Sequence, residues 1–392
     1  MREWAISYFG SKGSGLRLGV KDLIDVEGTL TSAGSRLVLS KAIPAASDAL
    51  LLRGARDQGA QIVAKTNLNE LAFGATGINP WFGTPPNPLN PYLIPGGSSS
   101  GSAVGVATGE LDVAFGTDTG GSIRIPSACC GVFGLKTTSG RVPLDGVWPL
   151  APSLDTVGPM ASDSKKLALG MMMLEPEFTP RFVSKPRIGI VAGSGPAEQL
   201  TLIERILLML QLEVDRVADP GLGTAWEAGL CVMMVEALES NGALLAESHR
   251  LDPAIVARFG QARQYALKDI EKAIAAKSAF QSNLGEIFAG YDFLALPTLK
   301  VPVPTFKEAK AAPLNANTLP FNLVGLPAVS IPVFLGGALR HSLALGGEYA
   351  PMGFCGDGVE PMPVSVQVVG KPDSEEELVG LAQILETLLR EV

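Results

Sequence analysis

Short apolar runs alternate along this chain with longer segments of helical spacing, and that alternation restricts its fold more than any other feature. The clearest unit runs from Ser47 to Lys65. Ser47 and Asp48 offer N-cap oxygens, Leu50, Leu51 and Ala55 form a helical stripe, and Gly59 stands where a helix end takes a left-handed residue. Gln61–Lys65 then reads as a buried strand. Further strands are expected at Leu18–Lys21, Val113–Gly116, Arg187–Val191, Phe293–Ala295, Ala328–Pro332, Ser342–Leu345 and Val364–Val369. Helices are expected near Ala197–Leu210, Ala225–Glu247, Ala262–Phe288 and Ser374–Arg390, the last opening with Ser374 and Glu377 in capping-box register. Strands that alternate with helices pair into a parallel or mixed sheet whose two faces the helices must cover. The expected class is α/β.

With 392 residues, 46% of them hydrophobic and 18% charged, the chain can fill a large core and is not disordered. It reads as one domain over 1–392, the segment from Glu175 to Pro186 with its three prolines marking the candidate boundary between lobes. Net charge is −8 and no Lys/Arg run is present, which argues against a nucleic-acid partner. Cys129, Cys130, Cys231 and Cys355 form no CxxC pair, so zinc ligation is not expected and free thiols in a reducing cytosol are. Met1-Arg2-Glu3-Trp4 opens no apolar signal region, and no apolar run reaches membrane-spanning length, so the reading is a cytoplasmic protein without a membrane partner.

Two serine-glycine loops carry the chemistry: Gly96-Gly97-Ser98-Ser99-Ser100-Gly101-Ser102 and Thr117-Asp118-Thr119-Gly120-Gly121-Ser122-Ile123-Arg124. The first leads into a small-residue segment, Ser102–Gly109, whose helical start would offer free N–H groups. In the second, the N–H groups of Thr119, Gly120, Gly121 and Ser122 could surround a developing oxyanion, with Ser122 as nucleophile. A serine needs a base. Ser98 could relay the proton to Lys21, whose apolar neighbours Leu18, Val20, Leu23 and Ile24 would favour a neutral amine. Asp118 and Arg124 read as a charge pair that holds the loop rigid. Taken singly, either loop reads more readily as a turn, and neither carries a phosphate-binding GxxxxGK[ST] or GxGxxG pattern. Gly97–Gly101 also fits G-x-S-x-G, which leaves open a histidine-dependent esterase with Ser99 as nucleophile and His249 or His341 as base.

Pro95–Ala103 with Gly116–Arg124 resembles the paired motif of the amidase signature family, and the resemblance runs from Leu18 to the C-terminal helix. Val20-Lys21-Asp22, Ala64–Asn67, Gly131–Lys136, Leu154–Pro159, Leu296–Thr298, Asn322–Pro327 and Val366–Gly370 also fit. It implies one α/β domain built on a twisted mixed sheet with helices on both faces. It also implies a Ser–cis-Ser–Lys triad of Ser122, Ser98 and Lys21, with a non-proline cis peptide leading into Ser98. The implied reaction is hydrolysis of a small carboxamide by water through an acyl-enzyme, without metal or organic cofactor. Ala72 and Phe73 match a position facing the acyl group, and Gly97 joins them as a substrate-binding candidate. Trp81, Phe82 and Trp148 are further pocket candidates, and Gly77–Pro85 reads more like small-amide hydrolases than lipid amidases. The chain starts close to the Lys21 strand, so the family's N-terminal helices are expected to be largely missing, and a homodimer stays open. Past Glu247 it lacks the tyrosine-rich segment of the A-type subunits of glutamine-dependent tRNA amidotransferases. That favours hydrolysis over the alternative, an amidotransferase component that works only with partner chains.

Overall fold

The structure is a computed structural model that describes residues 2–11, 13–334 and 362–391. The described strands are β1 (Ala5–Tyr8), β2 (Arg17–Lys21), β3 (Gln61–Thr66), β4 (Val113–Asp118), β5 (Phe133–Lys136), β6 (Thr156–Ala161), β7 (Arg187–Val191), β8 (Glu213–Val217), β9 (Phe293–Pro297), β10 (Ala328–Val333) and β11 (Val364–Val369). They form one sheet in the order β1-β3-β2-β4-β6-β5-β10-β11-β9-β7-β8. Two parallel trios, β3-β2-β4 and β9-β7-β8, flank an antiparallel centre, so the sheet is mixed and the domain single.

The two-residue period of a strand places alternate side chains on opposite faces. Along β9, Phe293 and Ala295 enter one hydrophobic cluster while Leu294 and Leu296 enter another. The first cluster is covered by α5 (Ser164–Leu174), α6 (Ala197–Met209) and the C-terminal helix Glu375–Glu391. Across the sheet lie α3 (Ser100–Ala107), α4 (Arg124–Cys130), α7 (Leu222–Asn241), α9 (Leu267–Phe288) and α10 (Leu319–Leu323). Between α7 and α9 stands α8 (Pro253–Ala262), and the short helices Arg36–Leu39 (α1) and Arg53–Asp57 (α2) complete the N-terminal part; the C-terminal helix is α11.

Several boundaries differ from the sequence reading. Asp48 does not cap a helix: its carboxylate pairs with Arg56 at 2.7 Å and accepts from the Glu27 N–H at 2.8 Å, and α2 begins after a 3-10 turn at Leu50–Leu52. The expected helix over Ala262–Phe288 is broken, because the Asp269 carboxylate accepts the Ala266 N–H at 2.9 Å and starts α9 afresh. The Ser374 hydroxyl donates to the Lys371 carbonyl at 2.7 Å instead of forming a capping box. Glu175 to Pro186 connects α5 to β7 and buries Phe178. Contrary to the expectation that no run could span a membrane, Leu222–Arg250 has the length and apolar composition to do so. Its Ala225, Ala228 and Cys231 pack with Phe280 of α9 and Phe321 of α10 in the domain core. The strand expected at Ser342–Leu345 lies outside the described residues.

Candidate active site

Parallel neighbours end together, and β2 and β4 do so here: Leu18, Gly19 and Val20 are in register with Val113, Ala114 and Phe115. Their carboxyl ends therefore bring Lys21 beside Thr117, in the kind of crevice where α/β sheets place ligands. Lys21 Nζ lies 2.8 Å from Thr117 Oγ1 and 2.7 Å from Ser98 Oγ. The Gly97–Ser98 peptide is cis. The two loops are tied directly: the Ser99 N–H donates to the Ser122 carbonyl at 3.1 Å.

Lys21 is completely buried and pairs with no carboxylate among the described residues, unlike Lys65, which pairs with buried Asp22 at 2.9 Å. Burial pushes the Lys21 ammonium down to about 7, and the fields of Asp118 and Asp155 pull it only partly back. A neutral amine between two hydroxyls can donate to one and accept from the other.

The loop after β4 is shaped by Asp118. Burial opposes its ionisation, but Arg124 and Asn322 hold its carboxyl well below the usual range. Arg124 Nη2 lies 2.9 Å from Asp118 Oδ1, with both side chains fully buried, and also donates to Asn322 Oδ1 at 2.6 Å, while Arg124 Nη1 donates to Gln367 Oε1 at 2.6 Å. The pair holds the loop as the sequence reading anticipates. The Gly121 N–H, expected among the oxyanion donors, donates to Asp118 Oδ1 at 2.7 Å. Gly121 has φ +125°, and an added Cβ would lie 2.2 Å from Thr318 Oγ1, so only glycine fits. Thr119 is positioned by its hydroxyl, which donates to Asp155 Oδ1 at 2.5 Å. Asp155 in turn accepts the Leu150 and Ala151 N–H groups, and burial raises its pKa.

A cavity of about 280 Å³ opens over this loop, lined by Thr119, Gly120 and Ser122 on one side and by Ala72 and Phe73 among its other walls. Ser122 is 8% exposed whereas Lys21 and Ser98 are 0%, so of the three only Ser122 reaches the cavity. Its hydroxyl has no hydrogen-bond partner among the described residues. Gly97 is not in the lining; its N–H donates to the Ala75 carbonyl at 2.8 Å, and a Cβ there would lie 2.1 Å from Asn69 Oδ1. Neither Trp81, Phe82 nor Trp148 lines the cavity; Trp148 Nε1 donates to Asn241 at 2.8 Å and Trp81 lies under Arg36. Ser99 Oγ donates to the Thr117 carbonyl at 3.3 Å, while His249 is exposed and away from the cavity. His341 lies outside the described residues.

The description "Amidase" belongs to the family model that matches residues 11–187 and 243–379. The chain belongs to the amidase family. The A-type subunit of the glutamyl-tRNA(Gln) amidotransferase from Natronomonas pharaonis is 31% identical to this amidase-family enzyme, over 95% of each chain. The 2-amino-5-chloromuconic acid deaminase of Comamonas testosteroni is 30% identical, over 96% of this chain and 82% of the relative. A solved amidase structure superposes with a TM-score of 0.80 at 32% identity, over 95% of this chain and 84% of that one.

Residues without an assigned role in the sequence reading also build this amidase site. Thr117 completes the Lys21 contacts, Asp155 sets Thr119, and Asn322 and Gln367 complete the Arg124 network. Asp155, Asn322 and Gln367 stand in motifs whose resemblance was visible, but pairing them with Thr119 and Arg124 requires the fold. On the cavity wall, Arg258 and Gln261 of α8, with Tyr265 just beyond it, had no sequence signal at all. Burial lowers the Arg258 guanidinium from its ordinary range, with Asp252 pulling partly back.

Proposed function

We propose that the chain hydrolyses a small carboxamide through a Ser122 acyl-enzyme, with Ser98 as proton relay and Lys21 as base and acid. The observation that carries this reading is the buried Lys21 Nζ, held near a pKa of 7, at 2.7 Å from Ser98 Oγ beside a cavity that Ser122, alone of the three, enters. Ser122 Oγ bonds to the amide carbon as its proton passes to Ser98, and the Ser98 proton passes to neutral Lys21. The oxyanion would be met by the N–H groups of Thr119, Gly120 and Ser122, which no intramolecular acceptor among the described residues occupies, while Gly121 gives the loop its shape. The C–N bond breaks as the Lys21 proton returns through Ser98 to the leaving amine. Water then repeats the sequence on the acyl-enzyme and releases the acid. The three described cysteines are free and buried, which suits a cytoplasmic setting.

A second reading is a component that works only with partner chains, motivated by the amidotransferase relative aligned over 95% of both chains. One assay separates the two. Ammonia or amine release from an amide panel is expected from the purified chain, and to fall by at least about 10³-fold in Ser122→Ala and Lys21→Ala. Its kcat should rise with pH through the Lys21 transition near 7, because the deprotonated amine is the base. Full activity in Ser122→Ala would sink the triad, and silence of the wild-type chain until partner chains are added would favour the second reading.

A further inference from the structure

β4 and β6 run antiparallel, with Asp118 opposite Thr156. One step further out, Thr119 and Asp155 therefore face each other where the sheet gives way to the nucleophile loop. The Thr119 hydroxyl donates to Asp155 Oδ1 at 2.5 Å. Asp155 Oδ2 accepts the Leu150 N–H at 2.9 Å and the Ala151 N–H at 3.1 Å, which folds the turn that lays Leu150 on the cavity. One buried carboxylate thus holds two separate stretches of the cavity wall. These donors are all neutral. No Lys or Arg pairs with Asp155 among the described residues, whereas buried Asp118 is matched by Arg124 and buried Asp22 by Lys65. A buried charge without a counter-ion in contact acts over a longer range than one that is paired. The charge of Asp155 acts on Lys21, and the coupling is mutual: Asp155 favours the Lys21 ammonium, and Lys21 favours the Asp155 carboxylate. Asp118 acts on Lys21 as well, from the end of β4, but with Arg124 in contact; the direct partners of Lys21, Ser98 and Thr117, are hydroxyls.

We infer that Asp155 is a positioning residue with two roles: it sets Thr119, and with it the N–H groups that would meet the oxyanion, and by its charge it restrains Lys21 from losing its proton. This double role rests on the amide-hydrolase reading of the same site. Burial alone would drive the Lys21 ammonium lower than about 7, because Asp155 is one of the two carboxylates that pull it back. An amine whose ammonium is that acidic is neutral over a wider pH range, yet it is a weaker base toward a serine proton. Asp155 therefore keeps the lysine basic enough to act while it holds the opposite end of the reacting group in place. Removing the charge and keeping the shape should lower the maximal rate and shift its pH midpoint towards acid. A lesion of the fold alone would not produce that pair of changes, since a loosened site that admits water returns the lysine toward its ordinary 10.5.

The test is the rate at which diisopropyl fluorophosphate labels Ser122, read by intact mass from acid to alkaline pH. In that step the bond from Ser122 Oγ to phosphorus forms, the phosphorus–fluorine bond breaks, fluoride leaves, and the serine proton passes through Ser98 to Lys21. No amide substrate has to be known. In the wild-type chain the rate should rise with pH to a plateau, with a midpoint near 7. Asp155→Asn should lower the plateau about tenfold to a hundredfold and move the midpoint to lower pH. Thr119→Val, which keeps the carboxylate, should lower the plateau and leave the midpoint in place, and Thr119→Ser, which keeps the hydroxyl, should restore most of the rate. A folded Asp155→Asn variant labelled at the wild-type rate, or with its midpoint unmoved or moved to higher pH, would overturn the double role. Should melting show that Asp155→Asn does not fold, Thr119→Val labelled at the wild-type rate would overturn it instead. A wild-type chain that is not labelled at Ser122 would sink the amide-hydrolase reading and the role of Asp155 with it, whereas wild-type labelling beside an indifferent Asp155→Asn would sink the role alone.

Discussion

At the scale of single residues, the candidate site depends on Lys21 being uncomfortable where it sits. Its ordinary pKa of 10.5 falls to about 7 because burial removes water from the ammonium. Between those two values the native state binds fewer protons than the unfolded chain, so stability rises with pH across that window. The cost of burying the lysine is fully present below about pH 7 and gone above about 10.5, and it is on the order of 5 kcal/mol. Losing the two hydroxyl contacts to Ser98 and Thr117 costs less, about 0.5–1.5 kcal/mol each. Lys21→Met is therefore expected to abolish amide turnover and yet melt at a higher temperature than wild type at pH 7. The gap should narrow toward pH 10. Melting curves across that range check it, and a variant that melts lower at every pH would contradict the burial penalty. Much of this was legible beforehand: Leu18, Val20, Leu23 and Ile24 around Lys21 already implied an apolar setting, and Leu18, Val20 and Ile24 share one core cluster. Thr117 as the lysine's second partner was not, since nothing in one strand's sequence says which residue of its neighbour it will meet.

At the scale of elements, α3 shows why small residues follow the Ser98 loop. Gly101 packs so closely that an added Cβ would stand 2.2 Å from the Trp4 carbonyl oxygen and 2.3 Å from the Asn67 nitrogen. The Gly101 N–H also donates to the Asn67 carbonyl at 2.9 Å. This contact seats the helix start, and hence Ser98, against the end of β3. Gly101→Ala should cost about 1–3 kcal/mol by overpacking. It should also reduce kcat more than KM changes, since it displaces Ser98, the proposed relay, and leaves the cavity wall in place. Denaturant midpoints and steady-state kinetics test both parts, and wild-type stability in the alanine variant would refute the close packing. Strands rich in valine and isoleucine, such as β7 and β11, were readable to the residue. β5 and β6 were not, because Gly134, Gly158 and Pro159 interrupt their pattern. Nor was β8, because Glu213, Asp215 and Arg216 make an edge strand resemble a loop.

At the scale of the molecule, the last helix closes the face of the sheet that the site does not use. Leu378, Val379, Leu381 and Leu385 of α11 share a cluster with Val329 and Ile331 of β10 and Val366 and Val368 of β11. Arg141 fastens the helix start, reaching Glu375 at 2.7 Å and Glu376 at 2.5 Å. Burying four such side chains is worth about 1.5–3 kcal/mol each. Their sum is comparable to the whole stability of an ordinary domain, about 5–15 kcal/mol. A chain ending at Ser374 should therefore be insoluble or lack a cooperative melt, as soluble yield and circular dichroism would show. A truncated chain that melts like wild type would mean the helix is dispensable.

The residues by themselves determined the α/β class, the serine loops, the lysine and the family they resemble, because local spacing and residue type carry that information. They could not determine which side chains share the cavity. Gly97 looked like a substrate contact and is packed beneath it, whereas Arg258 carried no motif and lines its wall. Ser122 and Arg258 are 136 positions apart in the chain and stand on a loop and a helix that only the completed sheet and its covering layers bring to one cavity. The candidate catalytic residues stand in short motifs, but the lining of the cavity is set by packing between distant elements, which no local pattern encodes.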